Sequence, residues 1–164
     1  MLPASGLLPS RVDHIGVVVP QLEPAMDAYI ANLGFSFGVF EVDETTSRFS
    51  GSSSKFRIRI AFALVGLLTV ELIQPVSGAT LYSRYLEAHG PGIHHLGVNV
   101  DNLAKARKSL TARGYRSILN GSIQGLGKFS YFDAPDLHCI IEPLQLSLTL
   151  PLFLAANAKP YPQI

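Results

Sequence analysis

A chain of 164 residues, 48% hydrophobic and only 15% charged, has enough apolar material for one domain or for two small halves sharing a core. A formal net charge of +1 supplies no global field for nucleic acid or an anionic membrane, and a single cysteine excludes an intramolecular disulfide or a cysteine-rich metal cluster. No run nears the roughly 18 apolar residues of a spanning helix, and no cationic-then-apolar leader opens the chain. The expectation is a cytoplasmic enzyme or binding protein without nucleic-acid or membrane partners.

Residues 1–10 hold Pro3, Gly6 and Pro9 and read as a loose lead-in. Arg11 to Val19 alternates β-formers until Pro20 stops it. Pro24 suits the first turn of a helix, where a missing amide hydrogen costs little. Ala25, Met26, Tyr29, Ile30 and Leu33 then recur at helical spacing up to Gly34. Phe35 to Val42 is a predicted strand, and the polar, Ser-rich stretch from Asp43 to Ser54 a mobile loop. Lys55 to Val65 alternates charged and apolar residues, and Leu67 to Gln74 follows Gly66 and is closed by Pro75. Residues 11–75 therefore read as one β-α-β-β-β module.

Residues 76–90 are a bridge with a short helix over Leu81 to Ala88. Residues 91–145 repeat the pattern: a strand from Ile93 to Val100, a helix carrying Leu103, Ala106, Leu110 and Ala112 to Gly114, then strands over Tyr115 to Leu119, Lys128 to Asp133 and Leu137 to Leu144. A Gly-rich loop spans Gly121 to Gly127. The tail, residues 146–164, is apolar and then Pro-rich; it belongs to neither module and is expected to dock on the body or on a second subunit. The fold class is α+β: two tandem modules around a shared, curved, eight-stranded cavity.

The repeat is visible in residues as well as in elements. Val12-Asp13-His14-Ile15-Gly16-Val17-Val18 near the start matches Ile93-His94-His95-Leu96-Gly97-Val98-Asn99, with His14 and His95 in the same place, 81 positions apart. An offset of about half the chain marks duplication of a module rather than a short solenoid period. Strand period 2 puts Ile15, Val17 and Val19 on one face and His14, Gly16 and Val18 on the other; in the later strand His95 shares its face with Gly97 and Asn99. The aliphatic faces should pack on helices, leaving the histidines on the open, concave side.

The last strand of each module carries one mid-strand carboxylate, Glu71 and Glu142, in apolar company. Such a group is costly to bury unless it is paired or holds a metal. Taken singly, each residue reads equally as a satisfied core histidine, or as a glutamate paired with Arg57 or Arg59. Taken together, two imidazoles and two carboxylates form a mixed nitrogen and oxygen set suited to one divalent ion. Composition does not choose among zinc, manganese, cobalt, nickel, iron and magnesium. Further candidates are Arg57 and Arg59, which would hold a substrate anion if their strand turned its aromatic face to a helix. Asn99 shares the His95 face. Tyr131 is a candidate cavity wall and His138 an acid/base group at the cavity mouth, whereas His89 and His94 read as structural or exposed.

The duplicated modules, with His early in each half and Glu in each fourth strand, resemble the vicinal oxygen chelate superfamily, which includes glyoxalases, extradiol dioxygenases, fosfomycin and bleomycin resistance proteins and methylmalonyl-CoA epimerases. Glu71-Leu72-Ile73-Gln74-Pro75, Leu81-Tyr82-Ser83-Arg84-Tyr85-Leu86-Glu87 and Gly90-Pro91-Gly92-Ile93-His94-His95 are most similar to the epimerase-like branch. The resemblance covers residues 11–145 and implies that His14, Glu71, His95 and Glu142 ligate a divalent metal. One departure stands out. That branch places an acidic base in the lead-in to its third strand, and Gly51-Ser52-Ser53-Ser54-Lys55-Phe56 contains no carboxylate.

The functional expectation is a metal-dependent lyase or isomerase/epimerase, glyoxalase-like, acting through a metal-stabilised enolate of a small carbonyl compound or acyl thioester. One divalent ion (Co, Mn, Ni, Zn or Mg) is its cofactor, and Glu142 serves both as ligand and as catalytic proton acceptor. The alternatives are a non-haem iron ring-cleaving dioxygenase and a non-catalytic small-molecule binding protein. Exposed sheet edges and the apolar tail predict a homodimer.

Overall fold

The computed structural model describes residues 12–50, 55–147 and 150–162. The first module contains β1 (His14–Val18), α1 (Leu22–Leu33), β2 (Phe37–Asp43), β3 (Ser47–Phe49), β4 (Arg57–Val65) and β5 (Leu68–Ser77), and the bridge is α2 (Leu81–His89). The second module contains β6 (Gly92–Asn99), α3 (Leu103–Ala112), β7 (Arg116–Ile123), β8 (Gly127–Ala134) and β9 (Cys139–Leu146), followed by α4 (Leu150–Asn157) and β10 (Lys159–Tyr161). No helix among the described residues is long and apolar enough to cross a membrane.

The ten strands among the described residues form one curled sheet in the order β10-β2-β4-β5-β1-β6-β9-β8-β7-β3. Its centre is the seam between the two modules. β1 and β6 pair antiparallel there, while β5 lies parallel to β1 and β9 parallel to β6. The chain thus carries a pseudo-two-fold through that seam. β3 pairs with β7 of the other module, so it ends the strand order on one side while β2, separated from it by only three residues, lies next to the β10 end on the other. That short link draws the two ends of the sheet together and bends it towards a closed barrel.

Alternation decides the layers. Val17, Val19, Ala61, Ala63 and Leu72 point outward and bury Leu22 and Met26 of α1; Val100 packs on Leu103 and Ala106 of α3. Val18, Phe40, Ile58, Ile60, Phe62, Phe129, Tyr131 and Leu144 point inward and make the concave core. Each outer helix is started by the strand that closes its own module. Gln74 Oε1 accepts from Leu22 N at 3.0 Å, and Gln145 Oε1 accepts from Leu103 N at 3.0 Å, satisfying amides that have no partner within a helix. The Glu-x-x-Gln spacing of β5 and β9 therefore sends a carboxylate inward and an amide outward. α1 stops at Gly34, whose φ of 70° is the left-handed conformation a glycine supplies at a helix end. α2 starts on a reciprocal cap: Thr80 Oγ1 accepts from Ser83 N, and Ser83 Oγ from Thr80 N.

Several sequence expectations are corrected. The sheet has ten strands rather than eight. The predicted loop from Asp43 to Ser54 contains β3, because Ser47–Phe49 finds a partner edge in the other module; residues 51–54 lie outside the described residues. β5 runs through Pro75 to Ser77, since its pairing with β1 has ended by Val18↔Ile73 and the missing Pro75 amide leaves no β1 bond unmade. The Gly121–Gly127 stretch is a tight β7–β8 hairpin, with Gly121 in β7 and Gly127 opening β8, not a loop. The tail docks on the body. β10 pairs with the β2 edge, and Phe153 of α4 enters the concave core against Phe40, their ring centroids 5.2 Å apart. The lead-in over residues 1–10 and the Arg11 start of the first module lie outside the described residues.

Candidate metal centre

The four central strands assemble the site through two glycines. In the β1–β6 register His14 sits opposite Gly97, and Gly16 opposite His95. Glu71 of β5 is the neighbour of Gly16, and Glu142 of β9 the neighbour of Gly97. Two rows result, Glu71–Gly16–His95 and Glu142–Gly97–His14. In each row the glycine leaves the space into which the imidazole of the other module folds. A methyl group built on Gly16 would overlap the His95 ring, and one on Gly97 the His14 ring.

The four side chains meet on the concave face. His14 Nε2 lies 3.0 Å from His95 Nε2 and 2.8 Å from Glu142 Oε2. His95 Nε2 lies 3.3 Å from Glu71 Oε2 and 3.4 Å from Glu142 Oε2, and His14 Nε2 is 3.7 Å from Glu71 Oε2. All four are buried. His14, Glu71 and His95 each place one donor atom within 4.8 Å of the others, and Glu142 joins through both histidines. Glu71 Oε2 is buried without a hydrogen-bond partner: its 3.3 Å approach to His95 has the distance of an ion pair but not the direction of a hydrogen bond. An orphaned carboxylate oxygen beside two imidazole nitrogens and a second carboxylate fits a divalent cation, whose charge would balance the two carboxylates while the histidines stay neutral.

Without a cation, protons do that balancing. Burial disfavours the His14 imidazolium, but Asp13, Glu142 and Glu71 outweigh it and push the group up to about 10. His14 Nδ1 is 3.9 Å from Asp13 Oδ2, too far for a hydrogen bond, so that pull is electrostatic. His95 is raised despite burial by Glu142 and Glu71. Burial disfavours the Glu142 carboxylate, but His95 and His14 hold it down at about 2.

The wall around these groups is apolar and aromatic: Ile60, Phe62, Leu126, Phe129 and Leu144, with Tyr82 and Tyr131. The space left is about 30 Å³, room for one ion or one water. Tyr82 and Tyr131 share a hydrogen bond of 2.8 Å between hydroxyls, and burial raises both phenols well above their ordinary value. A larger groove of about 990 Å³ lies beside β2 and β10 and contains none of the four converging groups.

Tyr131 thus lines the cavity, as its candidacy required. The arginines do not. β4 turns Ile58, Ile60 and Phe62 inward, and Arg59 reaches outward to Glu23 of α1, Nη2 to Oε1 at 2.6 Å; Arg57 is exposed on the same outer face. The aromatic face packs into the concave core rather than on a helix, which reverses the expected orientation. Asn99, at the end of β6, and His138, in the turn before β9 with φ of 54°, are exposed and line no part of the cavity. His94 is not exposed: it is buried among Tyr82, Tyr85 and Tyr131. The β1–β6 register steps from Gly16↔His95 to Val17↔Ile93, so His94 is the extra residue of a β-bulge and turns inward beside its neighbour. Burial, then the neighbouring His95, lowers His94 to about 3. Period 2 alone would place His94 outside, so alternation could not have found it. Tyr82 carried only the faint signal of an apolar position on the bridging helix.

Residues 13–132 match the Glyoxalase/Bleomycin resistance protein/Dioxygenase superfamily. An ethylmalonyl-CoA/methylmalonyl-CoA epimerase of Cereibacter sphaeroides is 27% identical over 112 residues, 68% of this chain and 76% of that protein. A methylmalonyl-CoA epimerase from Mycobacterium tuberculosis superposes with a TM-score of 0.69 at 23% identity, over 93% of this chain and 97% of that one. A Streptomyces coelicolor methylmalonyl-CoA epimerase variant, solved with 2-nitronate-propionyl-CoA, superposes with a TM-score of 0.64 at 19% identity, over 84% of this chain and 98% of that one.

Proposed function

This chain belongs to the Glyoxalase/Bleomycin resistance protein/Dioxygenase superfamily, and on that premise we propose that it is a divalent-metal-dependent isomerase or epimerase acting beside the carbonyl of an acyl thioester, with glyoxalase-like lysis of a small carbonyl compound as the wider class. One observation carries the reading: four buried groups, two from each module, converge in an apolar wall and leave a Glu71 oxygen unsatisfied. The coenzyme A thioester follows from what the similar epimerases are named for. The work assigned is that of a cytoplasmic enzyme on a small molecule.

In this reading His14, Glu71, His95 and Glu142 hold one ion of Co, Mn, Ni, Zn or Mg. When bound, the ion supplies Lewis acidity to a carbonyl oxygen. The chain's own groups move the proton. Glu142, whose basicity would recover on release from the ion, accepts it from the carbon next to the carbonyl, the C–H bond breaking as the O–H bond forms. Tyr82 and Tyr131, kept protonated by burial, are the wall's phenolic donors; they take the part of the carboxylate that residues 51–56 lack, hydrogen-bonding developing negative charge, and the phenol that gives its proton to the carbon recovers one from protonated Glu142, so that both groups end as they began. A 30 Å³ space admits no acyl chain, so substrate entry displaces apolar wall residues such as Leu126.

Protein purified without chelator is assayed for metal, and candidate acyl-CoA thioesters are incubated with it in D₂O. Exchange of the α-hydrogen that depends on cobalt, manganese, nickel, zinc or magnesium supports the reading; iron with oxygen uptake would replace it with an oxygenase, and ligand binding without metal or exchange with a carrier. Glu142→Gln should retain some metal and lose turnover by about 10²–10⁴-fold, whereas Glu71→Gln should be milder. Equal losses that track metal content would make both glutamates ligands only.

A further inference from the structure

We propose that His94 is a positioning residue for the metal centre, fixing the tautomer and ring plane of His95 through its own imidazole. The inference rests on the metal reading above and assigns a role that the four converging groups do not include. His94 Nδ1 lies 2.9 Å from His95 Nδ1, with the two rings nearly perpendicular at 86°. His95 turns its other nitrogen, Nε2, to the site, 3.3 Å from Glu71 and 3.4 Å from Glu142. A histidine that gives Nε2 to a cation keeps its proton on Nδ1 and must donate it. The acceptor is then His94 Nδ1, which forces the remaining proton of His94 onto Nε2. His94 Nε2 is the second buried polar atom without a hydrogen-bond partner among the described side chains. A donor left unsatisfied costs free energy, and the fold holds it there: the bulge turns His94 inward, and Tyr82, Tyr85 and Tyr131 pack around its ring edge-on, centroids 4.9–5.5 Å away.

The duplication supplies an independent observation. Asp13 stands at the position equivalent to His94, one residue before the other site histidine, and its Oδ2 faces His14 Nδ1 at 3.9 Å. In both modules the residue before the site histidine is thus turned towards that ring's outer nitrogen. The chemistry differs: a carboxylate on one side, an imidazole on the other. The two ligands, equivalent by fold, are held by different partners, and the imidazole contact is the closer one.

The test loads wild type, His94→Asn, His94→Phe and Asp13→Asn with cobalt(II). Affinity is measured by competition titration, and the exchangeable imidazole N–H signals shifted by the ion are followed by NMR. Thermal unfolding of each metal-free protein reports fold separately. His94→Phe should weaken cobalt about 10–100-fold and shift or broaden one N–H signal, that of His95, by opening it to solvent exchange. His94→Asn, with an acceptor oxygen, should restore part of both, and Asp13→Asn should perturb the other signal instead. The proposal is overturned if His94→Phe binds cobalt as wild type does, or if its affinity falls only in step with metal-free stability while both N–H signals stay unchanged. Wild type that takes up no divalent ion would overturn the metal reading itself, a different result from an indifferent His94 in a protein that binds.

Discussion

Gly16 and Gly97 show how much of the site rests on a missing atom. Each lies beneath the imidazole of the other module, so Gly97→Ala must push the His14 ring off its place or part the β1–β6 seam. The expected cost is at least the ~1–3 kcal/mol of core overpacking, with loss of metal affinity. Gly92→Ala is the control, because a methyl group there stands 3.4 Å from Tyr85 Oη and should change stability by about 0.5 kcal/mol or less. Urea unfolding with and without metal separates the two effects. The titrating groups give a second prediction, for the metal-free protein. His14 is raised to about 10 by carboxylates that outweigh its burial, so its stabilisation is complete below the ordinary histidine range and is lost as pH climbs through 10. Glu142 is held at about 2 by the histidines against its own burial, so its contribution is complete above the ordinary carboxylate range and is lost as pH falls through 2. Unfolding measured against pH should therefore show a plateau between about 4.5 and 6.5 that declines on both sides. Bound metal should flatten the alkaline arm, because the histidines are then neutral already.

At the scale of elements, the C-terminal tail does two jobs. β10 covers the β2 edge with a three-residue strand, and α4 lays Phe153, 3% exposed, into the concave core against Phe40. Phe153→Ala should cost about 3 kcal/mol as a large-to-small core change, read as a lower urea midpoint at unchanged slope. The Arg59–Glu23 pair is the opposite case. It joins β4 to α1 at 2.6 Å, yet both side chains reach water, 26% and 46% exposed, and such pairs are worth about 0–1 kcal/mol. Two elements that composition had treated as loop and tail, β3 and β10, are the ones that finish the sheet.

For the whole molecule, the two ends of the sheet are short strands, β10 and β3, and short edge strands resist pairing with other chains. A homodimer built on an open edge is therefore disfavoured. A cluster of exposed apolar side chains lies instead at the β4–β5 hairpin, where Leu64, Val65 and Leu67 are 55%, 38% and 84% exposed. We expect a dimer that buries this tip: sedimentation velocity at micromolar concentration should show it, and Leu67→Asp should return the protein to monomer.

The amino-acid order by itself determined the duplication, the two helices that follow β1 and β6, the face of each central strand, and the convergence of His14, Glu71, His95 and Glu142. All of these are local or periodic, and a strand's alternation survives in whatever sheet it joins. Tertiary structure decided the rest. Arg57 and Arg59 share a face by period, but only the sheet's curl says which face is concave. Ser47–Phe49 and Lys159–Tyr161 are too short to announce themselves and become strands only where an edge is within reach. His94 turns inward because a bulge breaks the alternation at one residue, and a bulge belongs to a pair of strands, not to either strand alone. Gly16 and Gly97 were equally visible as glycines, but their reason lies in the other module, in the ring each has to admit.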